Sequence, residues 1–527
     1  MANWREFKPY FYAYLVLMCV YAFTNYTYQQ PDEWYQSLDL ANFFVNGWTY
    51  GDGAYTHHRN LSVPLLLSLP MALLKIFALN HPYLVFTCAK LFTGLLNLVV
   101  LWGMHRLWCQ DDQQYKSAYK ILWVVFSLTL FSLEESVRSS LEHYSALAFW
   151  AMLGSSTLAS PIALVAVGFF AVMTGITRYP SGILGVVYLI CIFWSYLRRR
   201  EYKPVALVSG GVVLGLVLGF LGDFLVYGRW YESLFMYLQY NLFSGLASLY
   251  FGEQSSLEYL TYVWKQFFPY YILFLPFFVF GLGKGLKEGI IQKKPWVITF
   301  LTGIGLHSLP AHKEPRFMSA FIFLAIFITV WGLRKDVKSW FSKKYTPLLI
   351  KLSLLAGIIG IAEHAYYQIF EQRFMLSQLE FSKTPCLVTM RPYPAFMYPA
   401  TFLENPKTML GTIETVATET TRGEISWQKN VSCPGAITVI TKGDPGLPKS
   451  CLKSTLLDDR YGVFKPMLRD KIFTCTLEDL SSSFDFSLAQ ERPMRTFTHF
   501  ANLPDIGITA FQLEAFLKST EATAKKL

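Results

Sequence analysis

The sequence predicts a polytopic α-helical membrane protein of about eleven spanning helices, followed by a C-terminal mixed α/β domain outside the membrane. Three observations predict it. Of 527 residues, 53% are hydrophobic and 17% aromatic, while only 16% are charged. The apolar residues recur in blocks long enough to cross the roughly 30 Å of a bilayer's hydrocarbon core. Residues 364–527 instead hold short β-like runs such as "GAITVITKG", with no further apolar block. The net charge of +10 falls in short clusters between apolar runs, where positive-inside orientation accounts for it and nucleic acid is not required.

In chain order, the predicted spans are 9–28, 82–104, 120–134, 141–158, 160–176, 181–196, 204–222, 269–284, 296–311, 317–333 and 346–363. The first follows Arg5 and Lys8 and lacks a small-residue cleavage pattern, so it reads as a retained signal anchor. The stretch "LSVPLLLSLPMALLKIFAL" (61–79) is apolar but carries two prolines, and topology decides its place. If it lies in the interface, the basic segments "MANWREFK", "LRRREYK" (197–203), "GKGLKEGIIQKK" (283–294) and "RKDVKSWFSKK" (334–344) all fall on the cytosolic side. If it spans, the N-terminus flips to the wrong side. The expected organisation is therefore a transmembrane module over 1–363, with a luminal loop at 29–81, and a luminal domain over 364–527.

This topology places every polar cluster that looks chemical on the non-cytosolic face. They are Asp32 and Glu33 in "QQPDEWYQSL", Arg59, Arg138 and Glu142, Arg178, Asp223, and His312, Lys313, Glu314 and Arg316 in "HKEPRF". Four of the eight cysteines, Cys386, Cys433, Cys451 and Cys475, fall in the C-terminal domain and predict two disulfides with three possible pairings. Glycosylation sequons stand at Asn25, Asn60 and Asn430 on the same face. An oxidising and glycosylating compartment is the endoplasmic reticulum lumen or beyond.

Ionisable side chains in or beside a membrane are costly to desolvate and read as functional by default. Cations would bind and stabilise a phosphate, and a carboxylate would take a proton from an attacking hydroxyl. Together they suit a phosphate-bearing lipid substrate. Plainer readings stand beside these. Arg138 and Glu142 are spaced as an intrahelical pair, Asp223 is placed to cap a structure, and Lys313 and Arg316 have Glu314 as a neighbour to pair with. Arg59 adjoins His57 and His58, but adjacent histidines point apart and no acidic ligand follows at helical spacing, so no metal is expected there. A transporter or lipid scramblase would also carry many helices with embedded charge, usually at the midplane of repeated halves. Here the charges gather toward one face, and no repeat is visible.

Three segments carry a family resemblance over roughly residues 10–330. "PDEWYQSLDLANFFVNGWTYG" resembles the first luminal loop of the GT-C mannosyltransferases that use dolichyl-phosphate mannose. "HKEPRF" is similar to that family's His-Lys-Glu-x-Arg-Phe, and "DFLVYGRWYESLFMYLQYNLFSGLASLYFG" (223–252) to its Asp-x-x-x-Tyr-Gly-x-Trp segment. Each motif alone is weak, but the three stand in the family's order on one predicted face. The Asp-Glu-x-x-Gln-Ser-Leu pattern is most similar to the enzymes that add the third, α-1,2-linked mannose of the glycosylphosphatidylinositol (GPI) core. The alternatives are addition of the fourth GPI mannose or of a luminal mannose of the N-glycan precursor.

The resemblance implies inverting transfer of mannose from dolichyl-phosphate mannose to a lipid-linked glycan, without a metal or other cofactor. It makes Asp32 the catalytic base, with Glu33 orienting it, binding sugar, or merely favouring a helix N-terminus. Arg178, His312, Lys313 and Arg316 would surround the donor phosphate. Gln36, Arg59, Arg138, Glu142, Asp223 and Glu314 would contact substrate.

Overall fold

A computed structural model describes residues 37–46, 59–79, 82–111, 139–158, 160–243, 255–261, 275–310, 313 and 315–340. It also describes scattered positions within 8–23 and 348–359, and strand segments between 386 and 488. The expected span at 120–134 lies outside the described residues.

The apolar blocks become helices much as their lengths demand. A short amphipathic helix, α1 (Asp39–Asn46), is followed by α2 (Ser62–Ile76) and α3 (Pro82–Asp111). Leu38 and Ala41 at α1 bury against Val63, Leu67 and Met71 of α2. Lys75 Nζ donates to the Val45 carbonyl at 2.7 Å, tying the C-terminal ends of these two helices together. α4 (Leu141–Ser155) and α5 (Pro161–Thr177) begin alike, each with a serine N-cap. Ser140 accepts from the His143 amide and Ser160 from the Ala163 amide, both at 3.2 Å.

α6 (Gly182–Arg198) and α7 (Tyr202–Tyr227) carry the next two blocks. The segments Tyr179–Arg198 and Tyr202–Tyr227 are long and apolar enough to cross a membrane. α7, with 26 residues, is about 39 Å long, more than a bilayer core requires. Its outward Val213, Leu214, Val217 and Leu218 are exposed, as are Ile190 and Trp194 of α6, a surface suited to lipid. α5 and α7 cross closely because Gly168 and Gly211 supply no side chain there. A Cβ on Gly168 would strike the Val208 carbonyl, and one on Gly211 the Val165 carbonyl.

α8 (Glu232–Leu238) follows a left-handed Gly228 that ends α7 and a left-handed Tyr231 whose ring packs on Phe220. α9 (Leu275–Ile291), α10 (Pro295–His307) and α11 (Ser319–Trp340) complete the described helices. α11 is the spine of the main core. Its Phe321, Leu324, Phe327, Ile328 and Trp331 pack with Phe149 and Trp150 of α4 and Trp296 and Val297 of α10.

Two segments expected as basic connections are largely helix ends. α9 runs on to Ile291 and α11 to Trp340. Lys284 pairs with Asp336 at 2.6 Å and Arg334 with Glu288 at 2.7 Å, so both basic segments occupy the same end of the bundle.

The C-terminal segment contributes a six-stranded sheet, ordered β4-β5-β3-β1-β2-β6. The strands are β1 (Cys386–Met390), β2 (Met409–Ile413), β3 (Ile437–Lys442), β4 (Leu452–Lys453), β5 (Asp470–Cys475) and β6 (Phe486–Leu488). β1 is parallel to both β2 and β3, with Cys386 opposite Met409 and Ile437, while β5 and β6 are antiparallel partners of β3 and β2. The run "GAITVITKG" supplies β3, whose Ile437 and Val439 are fully buried. A disulfide joins Cys451 to Cys475. Cys386 stands at the start of β1, and Cys433 lies outside the described residues.

Candidate active site

The break between α5 and α6 builds the centre of the site. Proline has no N–H for the bond to the carbonyl four residues back, and its ring clashes with that carbonyl, so in "TRYPSG" Pro180 cannot continue α5, which stops at Thr177. Arg178 takes extended backbone, a 3-10 turn spans Tyr179–Ser181, and α6 starts at Gly182. A guanidinium is thereby held between two apolar helices with only 4% of its residue surface exposed. Its Nε lies 3.3 Å from Glu142 Oε1, and its Cζ stands 4.5 Å over the Phe317 ring. Its Nη1 is buried and has no hydrogen-bond partner among the described residues. A buried donor in that state is costly and is placed to receive an oxyanion.

Glu142 sits in the first turn of α4, where a carboxylate also favours the helix dipole. Its described ion pair is with Arg178 of another element, so it is not merely half of a local pair with Arg138, which lies outside the described residues. Lys313 is among the most buried side chains of the protein, and its Nζ donates to the Pro310 carbonyl at 2.5 Å. Arg316 belongs to a 3-10 turn, Pro315–Met318, that leads into α11, and its side chain is not described. His312 and Glu314 lie outside the described residues, as do Asp32, Glu33 and Gln36.

Asp223, on the last turns of α7, is fully buried and engaged by the protein. Its Oδ2 accepts from the Ser233 amide at 3.0 Å and the Ser233 hydroxyl at 2.6 Å, and its Oδ1 from the Asn60 amide at 3.5 Å. Ser233 Oγ is in turn 2.5 Å from Tyr179 Oη. The carboxylate expected among the substrate contacts is therefore a hub that ties the end of the first loop and the segment after α7 to the Arg178 turn. This is the structural alternative that the sequence left open.

Asn60 corrects a second expectation. Only 1% of the residue is exposed, its Nδ2 donates to the Gly219 carbonyl at 2.8 Å, and its Oδ1 accepts from the Ser62 amide at 2.8 Å. An amide buried and bonded in this way has no room for a glycan. Asn25 and Asn430 lie outside the described residues.

Arg59, next to Asn60, places its Cζ 5.8 Å from the Tyr237 ring. The Tyr237 ring also packs 5.0 Å from Tyr179. Burial pushes the Tyr237 phenol above its ordinary value, against the pull of Arg178 and Arg59 and with the help of Glu142. Tyr237 thus faces the same charges as the Arg178 site; it lies within the 223–252 segment but was not singled out there. Tyr179, Ser233, Phe317 and His307 were missed in the same way. Of these, His307 alone had no local signal: Tyr179 follows the arginine, Ser233 lies in the 223–252 segment and Phe317 ends "HKEPRF".

Among solved structures, the chain is similar to ArnT from Cupriavidus metallidurans bound to undecaprenyl phosphate. The TM-score is 0.54 at 12% identity, covering 90% of this chain and 98% of that one. The apo form of ArnT matches with TM-score 0.54 at 13% identity, covering 91% and 98%. The likeness carries the fold, that of a polytopic helical membrane protein of the GT-C type.

The model of the Alg9-like mannosyltransferase family matches residues 10–388, and the chain belongs to that family. It is a glycosyltransferase. Similar relatives are GPI alpha-1,2-mannosyltransferase 3 of Danio rerio, 24% identical over 72% of this chain and 67% of that one, and GPI mannosyltransferase 3 of Candida albicans, 25% identical over 72% and 74%. GPI mannosyltransferase 3 of Drosophila melanogaster is 22% identical over 68% of this chain, which spans 61% of that relative.

Proposed function

We propose that this glycosyltransferase moves mannose from dolichyl-phosphate mannose to a GPI anchor precursor, adding the third mannose in α-1,2 linkage with inversion. The observation that carries the donor half is Arg178, a buried guanidinium with a free Nη1 at a break between apolar helices. The names of the relatives support the acceptor half. Asp32 takes the proton of the acceptor hydroxyl as the sugar carbon is attacked, and the phosphate leaves as an anion. Arg178, with Lys313 in the segment beneath Phe317, meets the charge that develops on that phosphate. Because cations already face the leaving group and no proton need be supplied to it, the reaction runs without a metal.

The active face and the C-terminal sheet lie in the endoplasmic reticulum lumen, with the N-terminus cytosolic. Two features support this orientation. The ion-paired basic ends of α9 and α11 share one end of the bundle. α2 packs along the short amphipathic α1 and is tied to it through Lys75 and the Val45 carbonyl, as a segment lying in the interface would be.

The test is transfer in vitro from dolichyl-phosphate mannose to a panel of GPI and N-glycan acceptors, with wild type and Asp32→Asn, each assayed with and without a chelator. Transfer to the two-mannose GPI intermediate, lost in the folded variant and indifferent to chelation, is expected. Transfer only to an N-glycan acceptor would overturn the acceptor. Full activity of Asp32→Asn would overturn the base, and loss on chelation with recovery on added metal would overturn the metal-free reaction.

A further inference from the structure

His307 closes α10, inside an apolar run that gives no sign of chemistry. Its imidazole is held on three sides by rings. Tyr259 is stacked on it at 5.6 Å and Phe321 at 5.1 Å, and Phe317 meets it edge-on at 6.3 Å. The residue is 5% exposed, and its Nε2 is buried with no hydrogen-bond partner among the described residues. Three aromatic walls would accept a phenylalanine at no polar cost, whereas an unbonded ring nitrogen there is unfavourable. The nitrogen calls for a partner that the described residues do not supply.

The neighbourhood says what kind of partner. Phe317, which touches the imidazole edge, is also the ring under the Arg178 guanidinium, so His307 and Arg178 share one aromatic wall. Both side chains bring a buried nitrogen without a bonding partner to that wall. The charges of Arg178 and Lys313 both reach the imidazole. Two cations and a ring N–H around one apolar surface suit an anionic oxygen.

We propose that His307 is a further substrate-binding residue, whose Nε2–H donates a hydrogen bond to a phosphoryl oxygen of the lipid-linked donor beside Arg178. This rests on the reading of Arg178 as the donor-phosphate residue. Nε2 donates in the imidazolium and in the neutral tautomer that carries its proton there, the tautomer an anionic oxygen favours, and the stacked rings fix its direction. The lipid-linked acceptor carries phosphate too, and the assays separate the two sources.

The variants are His307→Phe, which keeps the ring stack and removes the nitrogen, and His307→Gln, whose amide places an N–H near the same point. Arg178→Gln is measured beside them. Equilibrium binding of dolichyl phosphate and the separate KM values for donor and acceptor are the readouts, together with the thermal midpoint. His307→Phe is expected to weaken dolichyl phosphate binding and raise donor KM by roughly tenfold, the worth of one buried hydrogen bond to a charged group. Acceptor KM and the midpoint stay near wild type, and His307→Gln recovers most of the loss.

Unchanged donor binding in His307→Phe overturns the proposal, as does a rise confined to acceptor KM or a glutamine variant no better than phenylalanine. If Arg178→Gln also binds donor normally, the donor-phosphate reading itself has failed. If Arg178→Gln alone is impaired, only the role of His307 has. Should the phenylalanine variant not fold, His307→Gln against His307→Met makes the same comparison with side chains of equal length.

Discussion

Replacing Glu142 by glutamine removes the carboxylate that faces a buried guanidinium, and the cost follows from the geometry. Nε and Oε1 are 3.3 Å apart with each side chain 4% exposed. At that separation, Coulomb's law with an effective dielectric constant of about 20 gives an attraction of about 5 kcal/mol. Desolvation offsets much of this in the intact pair, but removing one partner strands the other, which typically costs about 3–5 kcal/mol. Glu142→Gln is therefore expected to lose about that much stability. Arg178→Gln should lose less, because a stranded carboxyl can take up a proton.

The double variant strands nothing, so its loss should fall short of the sum of the singles by about 2–3 kcal/mol. Reversible unfolding of the four proteins in mixed detergent micelles measures that difference. Single losses that add within about 0.5 kcal/mol would refute a direct coupling between the two side chains. A second readout ties the pair to function. With Glu142 gone, Arg178 lacks its anion, so dolichyl phosphate should raise the thermal midpoint of Glu142→Gln more than that of wild type. An equal or smaller rise would place the phosphate elsewhere.

Three further outcomes can be checked. Gly211→Val puts a side chain into the Val165 carbonyl, while a side chain at Gly210 meets nothing within 4 Å. The first should therefore cost about 1–3 kcal/mol or more and the second almost nothing in thermal stability, and equal effects would refute the close crossing of α5 and α7. Asn60→Gln should leave the glycosidase-sensitive mass unchanged while lowering the thermal midpoint, since it disrupts the bond to the Gly219 carbonyl, and loss of one glycan would show that Asn60 is modified after all. Glu288 lies beyond the expected span, and burial would raise its carboxyl, but the hydrogen bond and charge of Arg334, helped by Lys335, outweigh this and hold it below its ordinary 4.5. Its contribution is thus fully present above pH 4.5 and is lost as the pH falls through the lower folded value. Glu288→Gln should flatten that acid limb of stability, and an unchanged limb would refute the pairing.

The described apolar helices were legible because an apolar run of helical length has few other uses, and Arg178 was legible because a charge inside such a run has to be explained. What a charge pairs with was less legible. Local spacing offered Glu142 a partner at Arg138, whereas the described partner comes from the next helix break, brought there by tertiary packing. Asn60 shows the same limit. A sequon is visible in three letters, but the carbonyl of Gly219 that occupies its amide is distant in sequence. The basic segments near 283–294 and 334–344 were read by sign alone, as loops. Their acids, Glu288 and Asp336, are what let them stay helical, by pairing across α9 and α11. His307 was hidden because it ends an apolar run and stands just before the "HKEPRF" motif, which draws attention away from it, and only the stacked rings around it give its nitrogen a direction.

The end of the first loop, at Asn60, and the turn that carries Arg178 belong to one hydrogen-bonded frame. Asn60 closes the first loop onto α7 through the Gly219 carbonyl and Asp223. Asp223 holds Ser233, Ser233 meets the hydroxyl of Tyr179, and Tyr179 is the residue next to Arg178. Tyr237 bridges the same two parts from the side, packed against Tyr179 and under Arg59. An inverting displacement needs the base and the leaving phosphate on opposite sides of one carbon, so their separation must be held to a fraction of an ångström. Buried hydrogen bonds with few rotatable links hold such a distance better than a chain of apolar contacts would. On this account Asp223 earns its burial as a positioning residue. Asp223→Asn should lower kcat with little change in donor binding, and a rise in donor KM without loss of kcat would instead make it a substrate contact.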